Sequence, residues 1–226
     1  MVKYDAPTYR NRADAGRVLA DNLMHYRGSD TIVFAIPRGG IPVAVEVAKK
    51  LGSRLDIIVS RKIPIPYNTE AGYGAVTEDG AIVLNEPLVR QLGFTRSQIE
   101  RHAEEVRTEI RRRQSVYRTK LGSSSVDGIT AIIIDDGLAS GYTMMAAIRS
   151  MRQQGAGKVV VAVPVASSSA WELVKSAADE LVSPIVSYHY PFAVASFYRE
   201  WHDLSDEEVI KDLDRYAKDM EGHAND

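Results

Sequence analysis

Short apolar runs alternate with longer amphipathic stretches along the chain. Four runs rich in β-branched residues predict buried strands: Thr31–Ile36, Leu55–Val59, Thr130–Ile134 and Lys158–Val163. A fifth strand is expected at Leu181–Val186, where Pro184 indicates a position at the edge of a sheet. Apolar residues at helical spacing predict helices over 11–26, 42–52, 95–120, 142–151 and 168–178, and from residue 205 onward.

Strand, helix and strand follow one another with short connections, which favours parallel pairing. The pattern therefore predicts an α/β fold with a doubly wound, mostly parallel central sheet of about five strands, flanked by helices. Capping boxes are expected at Thr95 with Gln98 and at Ser205 with Glu208. On the helix after Thr95, a solvated face with glutamate partners is expected for Arg107, Arg111, Arg112 and Arg118.

One segment interrupts this alternation. Arg61–Glu70 contains two prolines and an asparagine, which predicts a loop. Ala75–Val76 and Ala81–Leu84 flank a turn and predict a small hairpin insertion. Ile63–Gly74 is expected to be a mobile lid, and the alternative is a fixed hairpin connection.

Composition narrows the classes of function. The 226 residues carry a formal net charge of −2, so charge gives no reason to expect nucleic-acid binding. Cysteine is absent, which excludes disulfides and thiolate metal sites. The first residues lack an apolar signal-peptide core, and no apolar run approaches the length of a membrane span. A cytoplasmic protein that does not bind membranes is expected. Whether it forms a homo-oligomer is left open.

The segment Ala131–Met144 carries the strongest chemical signal. A buried strand ends in two adjacent carboxylates, Asp135 and Asp136. A turn of small residues follows and opens a helix, so backbone N–H groups and the helix dipole favour an anion there. Carboxylates beside a phosphate site suit sugar hydroxyls or a divalent cation held with the ligand. The segment therefore predicts a site for a sugar phosphate.

Other interpretations are weaker. The two aspartates would merely cap a turn if the segment were structural. The chain has no G-x-x-x-x-G-K-[ST] motif and no G-x-G-x-x-G opening a helix after a strand, which disfavours nucleotide hydrolases and dinucleotide oxidoreductases. The histidines have no metal-binding spacing. A ligand contact is the alternative for His189, which is more typical of a partly buried polar group, and Phe197 and Trp201 are more typical of packing residues.

The residues IIIDDGLASGYTM resemble the phosphoribosyl pyrophosphate motif of the type I phosphoribosyltransferases. Ile36–Gly40 and Ser60–Lys62 look like the pyrophosphate-side loops of that family, and nearly the whole chain resembles a subgroup with undetermined substrate. By resemblance, Asp135 and Asp136 hold the ribose hydroxyls and are the candidate Mg²⁺ ligands. The 5′-phosphate loop comprises Leu138, Ala139, Ser140, Gly141, Tyr142 and Thr143. The pyrophosphate side comprises Arg38, Gly39, Gly40, Arg61 and Lys62.

The resemblance implies a Mg²⁺-dependent transferase that uses phosphoribosyl pyrophosphate and a nitrogenous base. It implies one domain over 1–226, with the N-terminal helix and the C-terminal helical tail as hood elements. Ala139 stands where enzymes for 6-oxopurines place an aspartate, and Tyr142 where a lysine is common, so a hypoxanthine-guanine enzyme is not expected. A non-catalytic sensor of the same ligand, and a hydrolase or phosphorylase acting on a ribose phosphate, are the alternatives.

Overall fold

A computed structural model describes residues 8–119, 121 and 125–223. The central strands are β1 (Thr31–Ala35), β2 (Arg54–Ile57), β6 (Thr130–Ile134), β7 (Lys158–Ala162) and β9 (Glu180–Val182). They form one sheet of five parallel strands in the order β2-β1-β6-β7-β9. The predicted doubly wound α/β fold is confirmed, because helices cover both faces of this sheet.

Helices and sheet enclose two main cores, and a third, smaller cluster includes Tyr9, Val165 and Phe197. The helices are α1 (Arg12–Asn22), α2 (Gly40–Leu51), α3 (Glu86–Leu92), α4 (Arg96–Tyr117), α5 (Tyr142–Gln153), α6 (Ser168–Lys175) and α7 (Asp206–His223), with single 3₁₀ turns at Met24–Tyr26 and Val194–Phe197. Alternate strand residues belong to different cores: Val33 packs with α2 and α7, whereas Phe34 packs with α5. Among the described residues, no helix is long and apolar enough to cross a membrane.

Helix ends follow the local sequence signals. Thr95 and Gln98 form the predicted reciprocal capping box at the start of α4. The Ser205 N–H donates to Glu208, and the Glu208 N–H donates to the Ser205 hydroxyl, so the second box also forms. Gly52 ends α2 in the left-handed conformation, with φ of 66°. The first helix is shorter than predicted, because a 3₁₀ turn replaces its last part.

The loop predicted at Arg61–Glu70 is wrong. The segment forms an antiparallel sheet of β3 (Ser60–Ile65), β4 (Asn68–Thr77) and β5 (Ile82–Leu84), which includes the predicted hairpin at residues 75–84. Pro64 is tolerated because β3 is an edge strand and its register shifts beside this residue. Ile63 and Tyr73 are fully buried, so the root of the hairpin is part of the scaffold. The predicted lid at Ile63–Gly74 can therefore apply only to the tip.

The single strand predicted at Leu181–Val186 is also wrong. Pro184 lacks an N–H donor and separates β9 from β10 (Ile185–Ser187). β9 is an edge strand of the central sheet, as expected, but β10 pairs in parallel with β8 (Val165–Ser167) in a second small sheet. This small sheet follows β7 directly and lies beside the residues after β6, because Leu138 forms a bridge with Ala166.

Candidate functional site

Asp135 and Asp136 follow β6, the middle strand of the central sheet, at its carboxyl end. The Asp136 N–H donates to the Asp135 carboxylate over 2.8 Å, and the Asp136 side chain is only 14% exposed. Burial, and then the charge of Asp136, raise the pKa of Asp135 well above its ordinary value. Burial also raises the pKa of Asp136, although Arg12 opposes the shift. The two acids therefore form an unfavourable pair of charges that favours a cation or hydroxyl donors.

Arg12 at the start of α1 is a cation that contacts this pair through Asp136. Its Nε donates to Asp136 Oδ2 over 2.8 Å, and its Nη1 donates to the His202 carbonyl over 2.9 Å. Its guanidinium lies 3.8 Å from the centre of the Trp201 ring, a cation–π distance. The Tyr198 hydroxyl donates to the Asp136 carbonyl. Helix α1 and the 198–202 segment therefore meet at Asp136.

Gly39 and Gly40 press against the same carboxylates. A Cβ atom at Gly39 would lie 2.1 Å from Asp136 Oδ2, and one at Gly40 would lie 2.7 Å from the Ile134 carbonyl oxygen. The Ile36 N–H donates to that same carbonyl over 2.9 Å, which ties the loop to the end of β6. Only glycine permits this approach, so the loop after β1 and the acids after β6 form one continuous surface.

The predicted phosphate loop connects this surface to α5. Leu138 is buried, whereas Ala139 and Ser140 are exposed. Gly141 has φ of 83° and precedes the first residue of α5, Tyr142. The loop is fixed from outside, because the Ser167 hydroxyl donates to the Ala139 carbonyl over 2.7 Å.

The first residues of α5 complete this loop. The Ser60 hydroxyl donates to the Thr143 carbonyl over 2.8 Å, which ties the helix start to β3. Tyr142 and Thr143 are half-buried in the first turn. The first N–H groups of a helix have no partner within the helix, so this turn can receive an anion.

The two predicted pyrophosphate-side arginines pair with carboxylates of α7 and α4. Arg38 Nη1 is 3.7 Å from an Asp206 oxygen of α7, and Arg61 Nη1 is 3.2 Å from a Glu109 oxygen of α4. Lys62 is exposed on β3 and lines, with Arg61, a cavity of about 660 Å³ between the hairpin and α4. Of the predicted pyrophosphate side, Gly39 and Gly40 are the residues that the structure places tightly against the acids.

The acids suit a magnesium ion that arrives with its ligand. No group of three or more His, Cys, Asp or Glu side chains could hold a metal within the described part of the chain. Two carboxylates are the hard oxygen ligands that Mg²⁺ prefers, and Mg²⁺ usually takes its other ligands from water and substrate phosphates. The raised pKa of Asp135 fits this interpretation, because a bound cation would stabilise its ionised form.

Sequence reasoning missed Arg12 and the arginines of α4 that face inward. Arg111, Arg112 and Arg118 are exposed and pair with glutamates, as predicted, and Arg112 also reaches Asp206 of α7. Arg107 pairs with Glu100 and Glu104 of its own helix, but its side chain is only 16% exposed, so the solvated position predicted for it is wrong. Trp201 was expected only to pack; it also lies against the guanidinium at the site.

This architecture defines a doubly wound α/β protein with polar residues at the carboxyl ends of its central strands, where such folds bind ligands. The model of the phosphoribosyl transferase domain family matches residues 77–197, and the chain belongs to this family. The matched region includes Asp135, Asp136 and the phosphate loop. It excludes Arg38, Arg61 and the N-terminal helix.

Relatives extend the likeness beyond that region. A protein described as "Putative phosphoribosyl transferase" from Mycobacterium tuberculosis strain CDC 1551 is 38% identical over 212 residues, which is 94% of this chain and 48% of that protein. Its counterpart in strain H37Rv gives the same values. The chain thus spans about half the length of the curated relatives it matches. The crystal structure of TT1426 from Thermus thermophilus is similar with a TM-score of 0.76 and 37% identity, over 92% of this chain and 98% of that one.

Proposed function

We propose that the protein is a Mg²⁺-dependent phosphoribosyltransferase that binds phosphoribosyl pyrophosphate, transfers ribose 5-phosphate to a nitrogenous base and releases pyrophosphate. The observation that carries the proposal is the pair of half-buried carboxylates between the Gly39–Gly40 loop and the start of α5. Membership of the phosphoribosyl transferase domain family supports the same reaction. On this proposal residues 1–226 act as one catalytic domain, and a cytoplasmic location stays a prediction.

The ribose and its 5′-phosphate have complementary partners at this edge. Asp135 and Asp136 would accept hydrogen bonds from the two ribose hydroxyls, which supplies the donors that these carboxylates need. The 5′-phosphate would be held by the loop Leu138–Thr143, with backbone N–H groups and the Ser140 and Thr143 hydroxyls as donors. A single ligand would thus supply hydrogen-bond donors to the two acids and acceptors to the N–H groups at the start of α5.

The pyrophosphate would lie on the other side of the acids. Gly39 and Gly40 allow the backbone to approach it closely, and Arg38, Arg61 and Lys62 would supply positive charge. Bound Mg²⁺, held beside Asp135 and Asp136 and by the ligand, would offset negative charge on the leaving group. The arginines act in the same direction, because charge grows on the pyrophosphate as the bond to ribose breaks.

Two exposed tyrosines are candidates for the base side. Tyr188 and Tyr190 are 82% and 96% exposed and follow β10 directly. Ser187 at the end of β10 is aligned with Ser167, whose hydroxyl contacts the phosphate loop at Ala139. Aromatic faces at this position would stack on a planar base. His189 between them stays a secondary candidate, and the acceptor base is open.

The proposal is tested by calorimetry and by turnover. The protein should bind phosphoribosyl pyrophosphate, more tightly with Mg²⁺, and should release pyrophosphate with one member of a panel of bases. Asp135→Asn and Asp136→Asn should each weaken binding at least tenfold, whereas Asp21→Asn, on the exposed side of α1, should not. Absence of binding at millimolar ligand would contradict the proposal, and binding without turnover on any base would favour a non-catalytic sensor.

A second comparison tests the assignment of Arg38. Arg38→Ala should weaken the binding of phosphoribosyl pyrophosphate more than that of a nucleoside monophosphate, because the monophosphate lacks the pyrophosphate group. Equal losses for the two ligands would show that Arg38 is not on the leaving-group side.

A further inference from the structure

Glu109 of α4 binds three arginines at once. Its Oε1 lies 3.2 Å from Arg61 Nη1, 3.0 Å from Arg113 Nε and 2.9 Å from Arg112 Nη2, and Arg112 Nε adds a contact to Oε2 at 2.8 Å. Hydrogen bonds from Arg112, and then Arg113, lower the pKa of Glu109 to about 2. This carboxylate is therefore ionised at any physiological pH and already has more cationic donors than its single charge balances.

Asp206 extends the same network towards Arg38. One Asp206 oxygen lies 2.9 Å from Arg112 Nη2 and the other 3.7 Å from Arg38 Nη1. The Tyr117 hydroxyl also donates to Asp206. We call Arg38, Arg61, Arg112 and Arg113 the arginine cluster. It joins the loop after β1, strand β3, helix α4 and the start of α7 through two carboxylates.

The arginine cluster carries more positive charge than its partners balance. Four guanidinium groups meet two carboxylates, which leaves an excess of two positive charges. Burial, and then repulsion from Arg113, lower the pKa of Arg61, so the guanidinium groups act on one another. Such an excess in a partly buried site is unfavourable unless an anion joins it.

Arg113 has a position that packing does not explain. The apolar stripe of α4 runs through Ile99, Ala103, Val106 and Ile110 at spacings of three and four residues and resumes at Tyr117, seven residues after Ile110. Arg113 occupies the place between Ile110 and Tyr117, where an apolar residue would continue the stripe. Its side chain is only 12% exposed. Among the described residues it makes one ion pair, through Nε, which leaves both terminal nitrogens for another partner.

We propose that Arg113, supported by Arg112, completes the pyrophosphate-binding side of the site and binds the diphosphate group of phosphoribosyl pyrophosphate together with Arg38 and Arg61. This inference rests on the proposed function. A diphosphate suits the cluster because each guanidinium presents paired N–H donors to phosphate oxygens. A cavity of about 660 Å³ is lined by Arg61 and by Glu109, the carboxylate that Arg113 contacts, so a ligand in it would lie beside the cluster. On binding, some of the arginine N–H groups that donate to Glu109 would donate to the ligand instead.

The alternative is a structural network that only ties α4 and α7 to the sheet. Binding experiments separate the two roles, because a structural role would not distinguish one ligand from another. Three ligands are compared by calorimetry with Mg²⁺ present: phosphoribosyl pyrophosphate, inorganic pyrophosphate and ribose 5-phosphate. Arg113→Gln should weaken the first two at least tenfold and ribose 5-phosphate less than twofold. A charge-assisted hydrogen bond to a phosphate oxygen justifies this size of effect.

Matched variants complete the test. Arg111→Gln is the control, because Arg111 is on the same helix, is 58% exposed and, within the described part of the chain, pairs only with the exposed face of α4. Arg113→Lys should recover part of the affinity, and Glu109→Gln should tighten pyrophosphate binding because an internal competitor is lost. Thermal unfolding checks that each variant is folded.

The outcomes distinguish this inference from the proposed function. Losses of equal size for all three ligands, or no loss for Arg113→Gln, would overturn the role of Arg113 while leaving the proposed function in place. Failure of the unaltered protein to bind pyrophosphate would also overturn it. Failure to bind both phosphoribosyl pyrophosphate and ribose 5-phosphate, with pyrophosphate still bound through Arg113, would instead contradict the proposed function.

Discussion

Replacing Arg12 with methionine removes the positive charge beside Asp136 and retains a long side chain against Trp201. The Arg12 and Asp136 side chains are 8% and 14% exposed, so the substitution leaves a buried carboxylate without its cation. Breaking a buried ion pair in this way costs about 3–5 kcal/mol. The protein can limit that cost by protonating Asp136.

Protonation of Asp136 sets an upper limit on the stability that the variant can lose, and this limit depends on pH. Keeping an aspartate with an ordinary pKa of about 3.9 neutral costs about 4 kcal/mol at pH 7 and about 1.5 kcal/mol at pH 5. Without Arg12, the folded-state pKa of Asp136 rises further above its unfolded value. Stability is then lost as pH rises from the unfolded pKa towards the folded one, so the penalty grows with pH. We expect a loss of about 2–4 kcal/mol at pH 7 and a clearly smaller loss at pH 5.

The assay is urea unfolding at both pH values in metal-free buffer, with Arg17→Met as the control. Arg17 is on the same helix, is 55% exposed and pairs with Asp14 and Glu46, so its loss should cost less than about 1 kcal/mol. A penalty for Arg12→Met that is the same at pH 5 and pH 7, or no larger than that of the control, would refute the reasoning.

Three further predictions follow from other features. Asp135→Asn should raise the melting temperature of the metal-free protein at pH 7 while weakening ribose-phosphate binding, because the pKa of Asp135 is raised and its charge destabilises the fold; a lower melting temperature would contradict this. Burial, opposed by Arg118, raises the pKa of Glu78 to about 7, so stability should fall as pH rises from about 5 to 8, and Glu78→Gln should flatten that slope in urea unfolding. Hydrogen exchange should be fast at the hairpin tip around the exposed Tyr67 and slow around the buried Ile63, with ligand-dependent protection at the tip alone.

Features encoded by neighbouring residues were predictable. The run Thr130–Ile134, its two acids and the small residues after them specify a buried strand, a turn and a helix start within one short segment. The capping boxes at Thr95 and Ser205 need only residues three positions apart. Such signals are local, so one sequence without any partner information contains them.

Features created by distant contacts were not predictable. Arg12 and Asp136 are 124 positions apart, and neither residue's neighbours indicate the other. Pro64 suggested a loop because prolines interrupt strands in general, whereas its place at a sheet edge depends on pairing with β4. The signal at Arg113 was present, as a charged residue within an apolar stripe, but its meaning required Glu109, Arg61 and Asp206 to come together.

The cover over Asp136 has a consequence for the order of events during synthesis. Tyr198, whose hydroxyl holds the Asp136 carbonyl, lies 62 positions after it. At about 5–20 residues per second, the ribosome needs about 3–12 s to add that stretch. Strands β1, β2 and β6 are already synthesised when this interval begins, but the Tyr198–His202 segment that holds Asp136 and Arg12 is still missing. The contacts that fix Asp136 can therefore be completed only after that late segment has been added.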